Sequence, residues 1–150
     1  MKIETTAYNT IEKALRDYNW YDETIANIEF SLRNPYTEKD DNIGGGKSDH
    51  GNSTENGAIA MADMISSDAL IKNIRWNKMV INSAFARTDN DTREIINYLY
   101  CDIDNLTSTE LAIKLSVSVR TIERKRTKFF EMLVNKLWSL DIWKVIAHDS

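Results

Sequence analysis

The sequence contains few of the residues that interrupt helices. Of its 150 residues, five are glycine and one is proline, and all six lie between Pro35 and Gly57. All-β sandwiches and barrels need turn residues at each short strand boundary, and Rossmann and TIM architectures spread glycines through their loops. The flanks outside this stretch favour helices, and no segment shows the sustained alternation of a strand. We predict an all-α fold without a sheet.

Cysteine and long apolar runs are equally scarce. Cys101 is the only cysteine, so an intramolecular disulfide is impossible and a reducing cytoplasm is the natural setting. The acidic residue beside it favours packing over a reactive thiol. The first residues lack the apolar core of a signal peptide, and no stretch approaches the ~20 apolar residues of a membrane span. We expect a cytoplasmic protein with no membrane partner.

Residues suited to metal binding, cofactor binding or catalysis form no recognisable group. The string Gly46-Lys47-Ser48 is similar to the end of a phosphate-binding loop, but position 41 is aspartate where that motif needs glycine. The two histidines, at 50 and 148, lack the partners and spacing of a zinc site. No segment offers a nucleophile, a base and oxyanion donors together. We therefore predict no catalytic residue, no metal and no cofactor.

The chain is acidic overall but its charge is unevenly distributed. Residues 1–106 carry 11 basic and 18 acidic side chains, whereas residues 107–150 carry 8 basic and 5 acidic ones. Such an asymmetry is expected when one surface attracts a polyanion while the rest of the protein keeps it soluble. The C-terminal third is therefore the place to look for a nucleic-acid contact.

The pattern of apolar residues divides the chain into three segments. Residues 1–33 carry apolar side chains at helical spacing, which predicts two helices or one bent helix. Residues 34–57 turn to Asn, Asp, Gly, Ser and Lys and predict a loop. Residues 58–150 return to helical spacing and predict a helical body.

Within the third segment, a helical region reaches Phe85 with an apolar set that includes Met79, and a shorter helix covers about 91–100. Ser66-Ser67-Asp68 leaves open whether the first region is one helix or two. The tail has two interpretations, core packing or a self-association surface, and we expect packing. Its apolar residues are Trp138, Leu140, Ile142, Trp143, Val145 and Ile146.

Two closely spaced helix starts lie between about 107 and 137. Thr107-Ser108-Thr109-Glu110 forms a capping box, and Ser118 is a second N-cap candidate. Ala112 is the small residue needed where two helices cross. Apolar residues flank the turn and continue along a long second helix, as in a helix-turn-helix: Leu115, Val117, Ile122, Phe129, Leu133 and Leu137.

The first half of this second helix is strongly basic. Residues 120–128 hold five cations and one anion, and Lys125 occupies a position usually apolar, where its aliphatic stem can cross the edge of the core. Arginine can bond two acceptors of guanine, glutamate can accept from cytosine, and lysine can meet phosphates. The candidate DNA-binding residues are Thr107, Thr109, Lys114, Ser118, Val119, Arg120, Thr121, Glu123, Arg124, Arg126, Thr127 and Lys128.

The region from the 91–100 helix onward resembles region 4 of bacterial sigma factors, and strings before it resemble RinA/ArpU-type phage regulators. The most specific of them, 42–45, lies between two helical regions. These strings are Asp17-Tyr18-Asn19-Trp20-Tyr21 with Ile25 and Ile28, then Pro35, Asp40-Asp41-Asn42-Ile43-Gly44-Gly45 and Ser53-Thr54-Glu55. The resemblance implies a small activator of phage or prophage late genes, acting in the bacterial host cell.

The resemblance also implies partners. We expect double-stranded promoter DNA at the basic helix, and host RNA polymerase or a second copy of the chain at the acidic N-terminal helices. Two other functions stay open. One is a small terminase-like packaging protein, which also joins a helix-turn-helix to oligomerisation helices, and the other is a helical interaction module that binds no DNA.

Overall fold

The computed structural model describes residues 2–34 and 53–142, with the side chains of 53–65 excepted. Every regular element in these ranges is helical, which confirms the all-α prediction. In chain order the six α-helices are α1 (Thr5–Asp17), α2 (Tyr21–Arg33), α3 (Ser53–Arg87), α4 (Asn90–Ile96), α5 (Ser108–Leu115) and α6 (Val119–Glu131). None of these helices combines the length and apolar character that crossing a bilayer requires.

The N-terminal segment forms two helices joined by a 3-10 turn at Tyr18–Trp20. Ile11 and Leu15 of α1 are buried, as are Ile25 and Ile28 of α2, because their helical spacing places them on one face of each helix. Of the two arrangements that the sequence allowed, two helices is the observed one. The turn lets α1 contact the end of α4 while α2 packs on α3.

Helix α3 is continuous across Ser66-Ser67-Asp68, so the serines there do not cap a second helix. It begins at Ser53, which makes the predicted loop boundary at residue 57 wrong at its C-terminal end. Ile74 and Ile81, seven residues apart, are buried against the core. Met79 is 53% exposed, since its position on α3 lies outside this buried face. The 42–45 string lies outside the described residues.

The short helix predicted at about 91–100 is α4 followed by a π-helical turn at Asn97–Cys101. Ile95 and Ile96 are buried on it. The thiol of Cys101 donates to the Leu15 carbonyl oxygen at 3.6 Å, and burial raises its pKa to about 11. Cys101 is therefore a packing residue, as the sequence predicted.

Two adjacent phenylalanines of α6 join the helices around them. The Phe129 ring lies 5.0 Å from the Phe85 ring of α3, measured between centroids. The Phe130 ring lies 4.9 Å from Tyr8 of α1 and 5.8 Å from Tyr100. Both phenylalanines are fully buried. The C-terminal half of α6 is therefore anchored in the core, while Arg120, Glu123 and Arg124 of its N-terminal half are exposed.

The prediction of a long last helix reaching Leu137 was wrong. Helix α6 ends at Glu131, and tight turns follow, with Asn135 in the left-handed region at φ 62°. Leu133 is nevertheless fully buried. The apolar spacing of Leu133 predicts a continuing helix, but a turn can also place a side chain in the core.

The chain after these turns docks on α3 through the buried Asn77. The Asn77 side chain accepts from the Trp138 amide at 2.8 Å and donates to the Trp138 carbonyl at 2.9 Å. Leu140 is half-buried and Ile142 fully buried, whereas Trp138 is 53% exposed. As far as Ile142 the tail packs on the core as expected, and Trp143, Val145 and Ile146 lie outside the described residues.

Candidate nucleic-acid interface

The capping box predicted at the start of α5 is present. The Glu110 amide donates to Thr107 Oγ1 at 3.1 Å, and the Thr107 amide donates to Glu110 Oε1 at 3.0 Å. These bonds satisfy two amides that have no partner within the helix. Hydrogen bonds to the Glu110 carboxylate from the Thr107 amide, and then from the Thr107 side chain, lower the pKa of Glu110 because they favour its charged form.

Helix α5 ends in a tight turn at Ser116. Ser116 adopts the left-handed conformation, with φ 57° and ψ 43°, and the Val117 amide donates to the Ala112 carbonyl at 3.0 Å. This is the bonding pattern of a Schellman cap, where glycine is usual. Val117 is 40% exposed, so its predicted packing role at the turn was wrong.

Ser118 starts α6, as the sequence predicted. Its hydroxyl accepts from the Thr121 amide at 3.1 Å, and the two hydroxyls lie 2.9 Å apart. Ile122 is fully buried against α5, where Leu111 and Ala112 are also buried. The turn and the cap together fix the direction in which α6 leaves the core.

Four charged side chains of α6 share its exposed face: Arg120, Glu123, Arg124 and Lys128. Within the described ranges, no carboxylate lies within 4 Å of the charged groups of the three basic ones. Val119, Thr121 and Thr127 are half-buried beside them, and Ser118 is exposed at the N-terminal end. The structure therefore brings most of the predicted set onto one surface.

The predicted residues of α5 lie at the margin of this surface. Thr109 is exposed, whereas Thr107 is exposed but engaged in the capping box. The Lys114 ammonium lies 5.1 Å from the centre of the Tyr98 ring, a distance at which the ring face attracts a cation. Lys114 thus lies beside the π-helical turn at Asn97–Cys101, and its side chain is exposed there.

Arg126 turns away from the other predicted residues. Its guanidinium lies 5.7 Å from the centre of the Tyr8 ring of α1, and its Nε atom is buried without a hydrogen-bond partner among the described residues. The side chain covers the aromatic contact between α1 and α6. Its predicted role at phosphates is not supported by this orientation.

Lys125 joins α6 to the start of α4. Its side chain is 24% exposed and its ammonium lies 3.3 Å from Asp89 Oδ2, while Asp89 Oδ1 accepts from the Thr92 amide at 3.2 Å. Hydrogen bonds from Thr92, and then the Lys125 ammonium, lower the pKa of Asp89 to about 2. The lysine stem crosses the edge of the core as expected, and its charge meets the N-cap of α4.

Sequence reasoning missed Arg87, the last residue of α3. It lines the same cleft as Arg124 and Lys128, next to Asp89. No local pattern pointed to it, because the α6 residues that share this cleft with it are more than 35 positions away along the chain. The sequence alone indicates only that Arg87 is a cation near the end of a helix.

Neither a metal site nor an enclosed ligand site stands out in the described parts of the chain. No group of three or more histidine, cysteine, aspartate or glutamate side chains there could hold a metal ion. An open cleft of about 550 Å³ next to α4 is lined by polar groups such as Asn19, Arg93 and Asn97. The basic surface of α6 is therefore the feature with the clearest chemistry.

Comparison with known proteins assigns the chain to a family. No curated protein and no solved structure matches it. The family described as "Protein of unknown function (DUF722)" matches residues 7–135, a range that starts within α1 and ends in the turns after α6. The match covers most of the chain, and the protein belongs to this family.

Proposed function

We propose that the protein is a sequence-specific regulator of transcription that binds double-stranded DNA, and that it activates late genes of a phage or prophage. In this proposal α5 and α6 form a helix-turn-helix, similar to region 4 of sigma factors. Helix α6 enters the major groove with its N-terminal half.

One observation carries the proposal: α6 packs on the core along one face and presents a basic, exposed face on the other. Ile122, Phe129 and Phe130 are fully buried, while Arg120 and Arg124 are exposed in its first two turns, with no ion-pair partner among the described residues. A helix that must present side chains to base edges needs rigid support behind it.

The exposed side chains divide into two roles under this proposal. Arg120 and Arg124 donate to guanine and Glu123 accepts from cytosine, which supplies sequence discrimination. Lys128 and Lys114 meet phosphates, which fixes the position of the protein on the duplex without reading bases.

The resemblance to RinA/ArpU regulators supports the choice of late-gene activation, and host RNA polymerase is the partner that follows from it. Helices α1 and α2 together contain five acidic and three basic residues. Four of these five carboxylates are ion-paired within the chain, and Asp17 is buried. The resemblance, rather than free charge, therefore supports polymerase or a second copy of the chain as the partner of these helices while α6 holds the promoter.

The decisive experiment is selection of bound duplexes from a random pool, followed by salt titration with the selected site. The two cations assigned to phosphates, at positions 114 and 128, predict that log affinity falls with log salt at a slope of about −2 per chain from these contacts, since each neutralised phosphate contributes ~0.9. Absence of duplex binding at low salt would contradict the proposal.

Two substitutions test the division of roles. Arg124→Ala should lower affinity for the selected site by about 1–3 kcal/mol and reduce discrimination at one base pair. Lys128→Ala should weaken all duplexes equally and make the salt slope less steep by about 1. The matched control is Lys72→Ala. Lys72 is an exposed lysine of α3 that lines a different cleft, between α3 and α2, so its loss should leave binding unchanged.

The other two functions are outcomes of the same measurements. A ring-sized mass in solution together with duplex binding would favour a terminase-like packaging protein. Binding to acidic protein but to no duplex would favour an interaction module.

A further inference from the structure

A basic cleft lies beside the candidate helix-turn-helix, between α6 and the junction of α3 with α4. Its volume is about 520 Å³. Three segments line it, of which only α6 belongs to the candidate helix-turn-helix. The residues that carry its chemistry are Arg87, Thr88, Asp89, Arg124, Lys125 and Lys128.

The cleft holds four cations and one carboxylate. Asp89 is paired with Lys125 at 3.3 Å, so these two charges compensate each other. Within the part of the chain that the structure describes, no carboxylate lies within 4 Å of the charged groups of Arg87, Arg124 or Lys128. These three cations are therefore left without a compensating carboxylate in that part of the chain. Because they line a concave surface, their electric fields are concentrated there.

The wall opposite α6 is held rigidly. Arg87 is anchored at the end of α3, where its Nε donates to the Ser83 carbonyl at 3.3 Å. Behind it, the Arg93 guanidinium donates to the carbonyl of Phe85, at 2.8 Å from Nη2, and to that of Thr88 at 3.1 Å. These bonds fix the α3–α4 junction. A ligand that binds Arg87 in the cleft therefore does not have to order a loop.

We propose that this cleft binds a backbone phosphate of the duplex that α6 reads, with Arg87 as a contact from outside the helix-turn-helix. The proposal rests on the proposed function and names a further part of its DNA surface. A guanidinium can donate two parallel hydrogen bonds to one phosphate. Arg124 and Lys128 line both the cleft and the exposed face of α6, so a strand lying along that face passes the mouth of the cleft.

A phosphate held on two sides would fix the angle of α6 in the major groove. A contact made by α6 alone lets the duplex rotate about the helix, whereas a second contact from α3 supplies a fixed point off the helix axis. Phosphate contacts of this kind set register and orientation but carry no sequence information.

The test is the variant Arg87→Gln measured on the selected duplex. We expect affinity to fall roughly 5- to 10-fold near 0.1 M salt, since the variant loses a charged hydrogen bond. The salt slope should become less steep by about 0.9, and the ranking of duplexes should stay the same. Arg87→Lys, which keeps the charge, should retain the wild-type slope.

The matched control is Arg75→Gln, three helical turns earlier on α3. Arg75 is exposed and its guanidinium lies 3.5 Å from the Glu29 carboxylate of α2, so its loss should change duplex affinity by less than twofold. Circular dichroism and thermal unfolding of both variants verify that they fold alike.

Replacing single phosphates by methylphosphonate sharpens the test. One replacement should weaken binding by the wild-type protein more than binding by Arg87→Gln, because the variant has already lost one of the two contacts to that phosphate. Wild-type binding together with an unchanged affinity and slope for Arg87→Gln would overturn this inference, and so would an altered duplex ranking. Failure of the wild-type protein to bind any duplex would instead overturn the proposed function.

Discussion

The α5–α6 pair is started by hydrogen bonds between residues close in the sequence, whereas the N-terminal helices behind it are held by residues distant in the sequence. Thr107 and Ser118 start their helices through bonds to residues three positions away. Glu4 and Trp20, at the starts of α1 and α2, make no side-chain cap bond. The N-terminal helices are held instead by distant partners. One example is the hydrogen bond that the Tyr100 hydroxyl donates to the Glu12 carboxylate at 2.8 Å. Burial, and to a smaller extent this bond, raise the pKa of Tyr100.

The difference shows where the information for each part of the fold is stored. Local caps define the turn that leads into the basic helix. Buried side chains such as Ile122, and the ion pair of Lys125 with Asp89, then hold that helix on its neighbours. The helices behind it depend on side chains that meet only after the chain has folded. Substitutions should therefore have local effects in the first region and global ones in the second.

The largest effect is expected at Asn77, which joins α3 to α2 and to the chain at residue 138. Asn77→Ala removes both bonds to Trp138 and leaves buried polar groups without partners, which should lower the free energy of unfolding by about 2–4 kcal/mol in urea denaturation. Lys72→Ala, at an exposed position of the same helix, is the control and should cost under about 0.5 kcal/mol. Equal losses would contradict the role of Asn77 in holding distant parts of the chain together.

A smaller and strictly local effect is expected at Thr107. Thr107→Ala should cost about 1 kcal/mol, because the Glu110 amide loses its acceptor at the helix start. Combined with Asn77→Ala, the two losses should add, since the sites share no partner. A coupling above about 0.5 kcal/mol in this double-mutant cycle would contradict the separation of local from distant control.

The left-handed Ser116 offers a stabilising change of similar kind. Ser116→Gly should raise the free energy of unfolding by about 0.5–1 kcal/mol, because glycine adopts the left-handed conformation without a clash at Cβ. Ser108→Gly, within the first turn of α5, should destabilise instead. Thermal unfolding of the two variants checks the opposite signs, and a lowered midpoint for Ser116→Gly would count against a locally defined turn.

The smallest effect concerns Asp89, where a local cap and a distant ion pair meet. Its pKa of about 2 lies below the ordinary value of 3.8, so its contribution to stability is present above about pH 4 and is lost as the pH falls toward 2. Asp89→Asn keeps a capping oxygen but loses the charge facing Lys125. The stability difference between wild type and this variant should therefore shrink from pH 5 to pH 2, and a constant difference would contradict the lowered pKa of Asp89.

Features set by neighbouring residues were predictable from the sequence. The helical class followed from the placement of glycine and proline, and the starts of α5 and α6 followed from the chemistry of Thr107 and Ser118. Both depend on bonds within a few residues. The same holds for Cys101, whose neighbours indicated packing.

Features set by tertiary contacts were not predictable. The end of α6 at Glu131 has no glycine or proline to mark it, and the left-handed Ser116 carries no compositional signal. Arg126 was placed with the other cations because helical spacing cannot reveal that Tyr8 lies opposite. Arg87 enters the basic cleft only because α3 ends beside α6.

The way Asn77 holds the chain at residue 138 implies an asymmetry in evolutionary freedom. Both hydrogen bonds go to main-chain atoms of Trp138, which every amino acid except proline supplies in full, and the indole itself is half-exposed. Position 138 can therefore vary among many residue types while the dock persists. Position 77 requires a side chain that carries both a donor and an acceptor at the length of asparagine. Natural variation should therefore be greater at position 138 than at position 77.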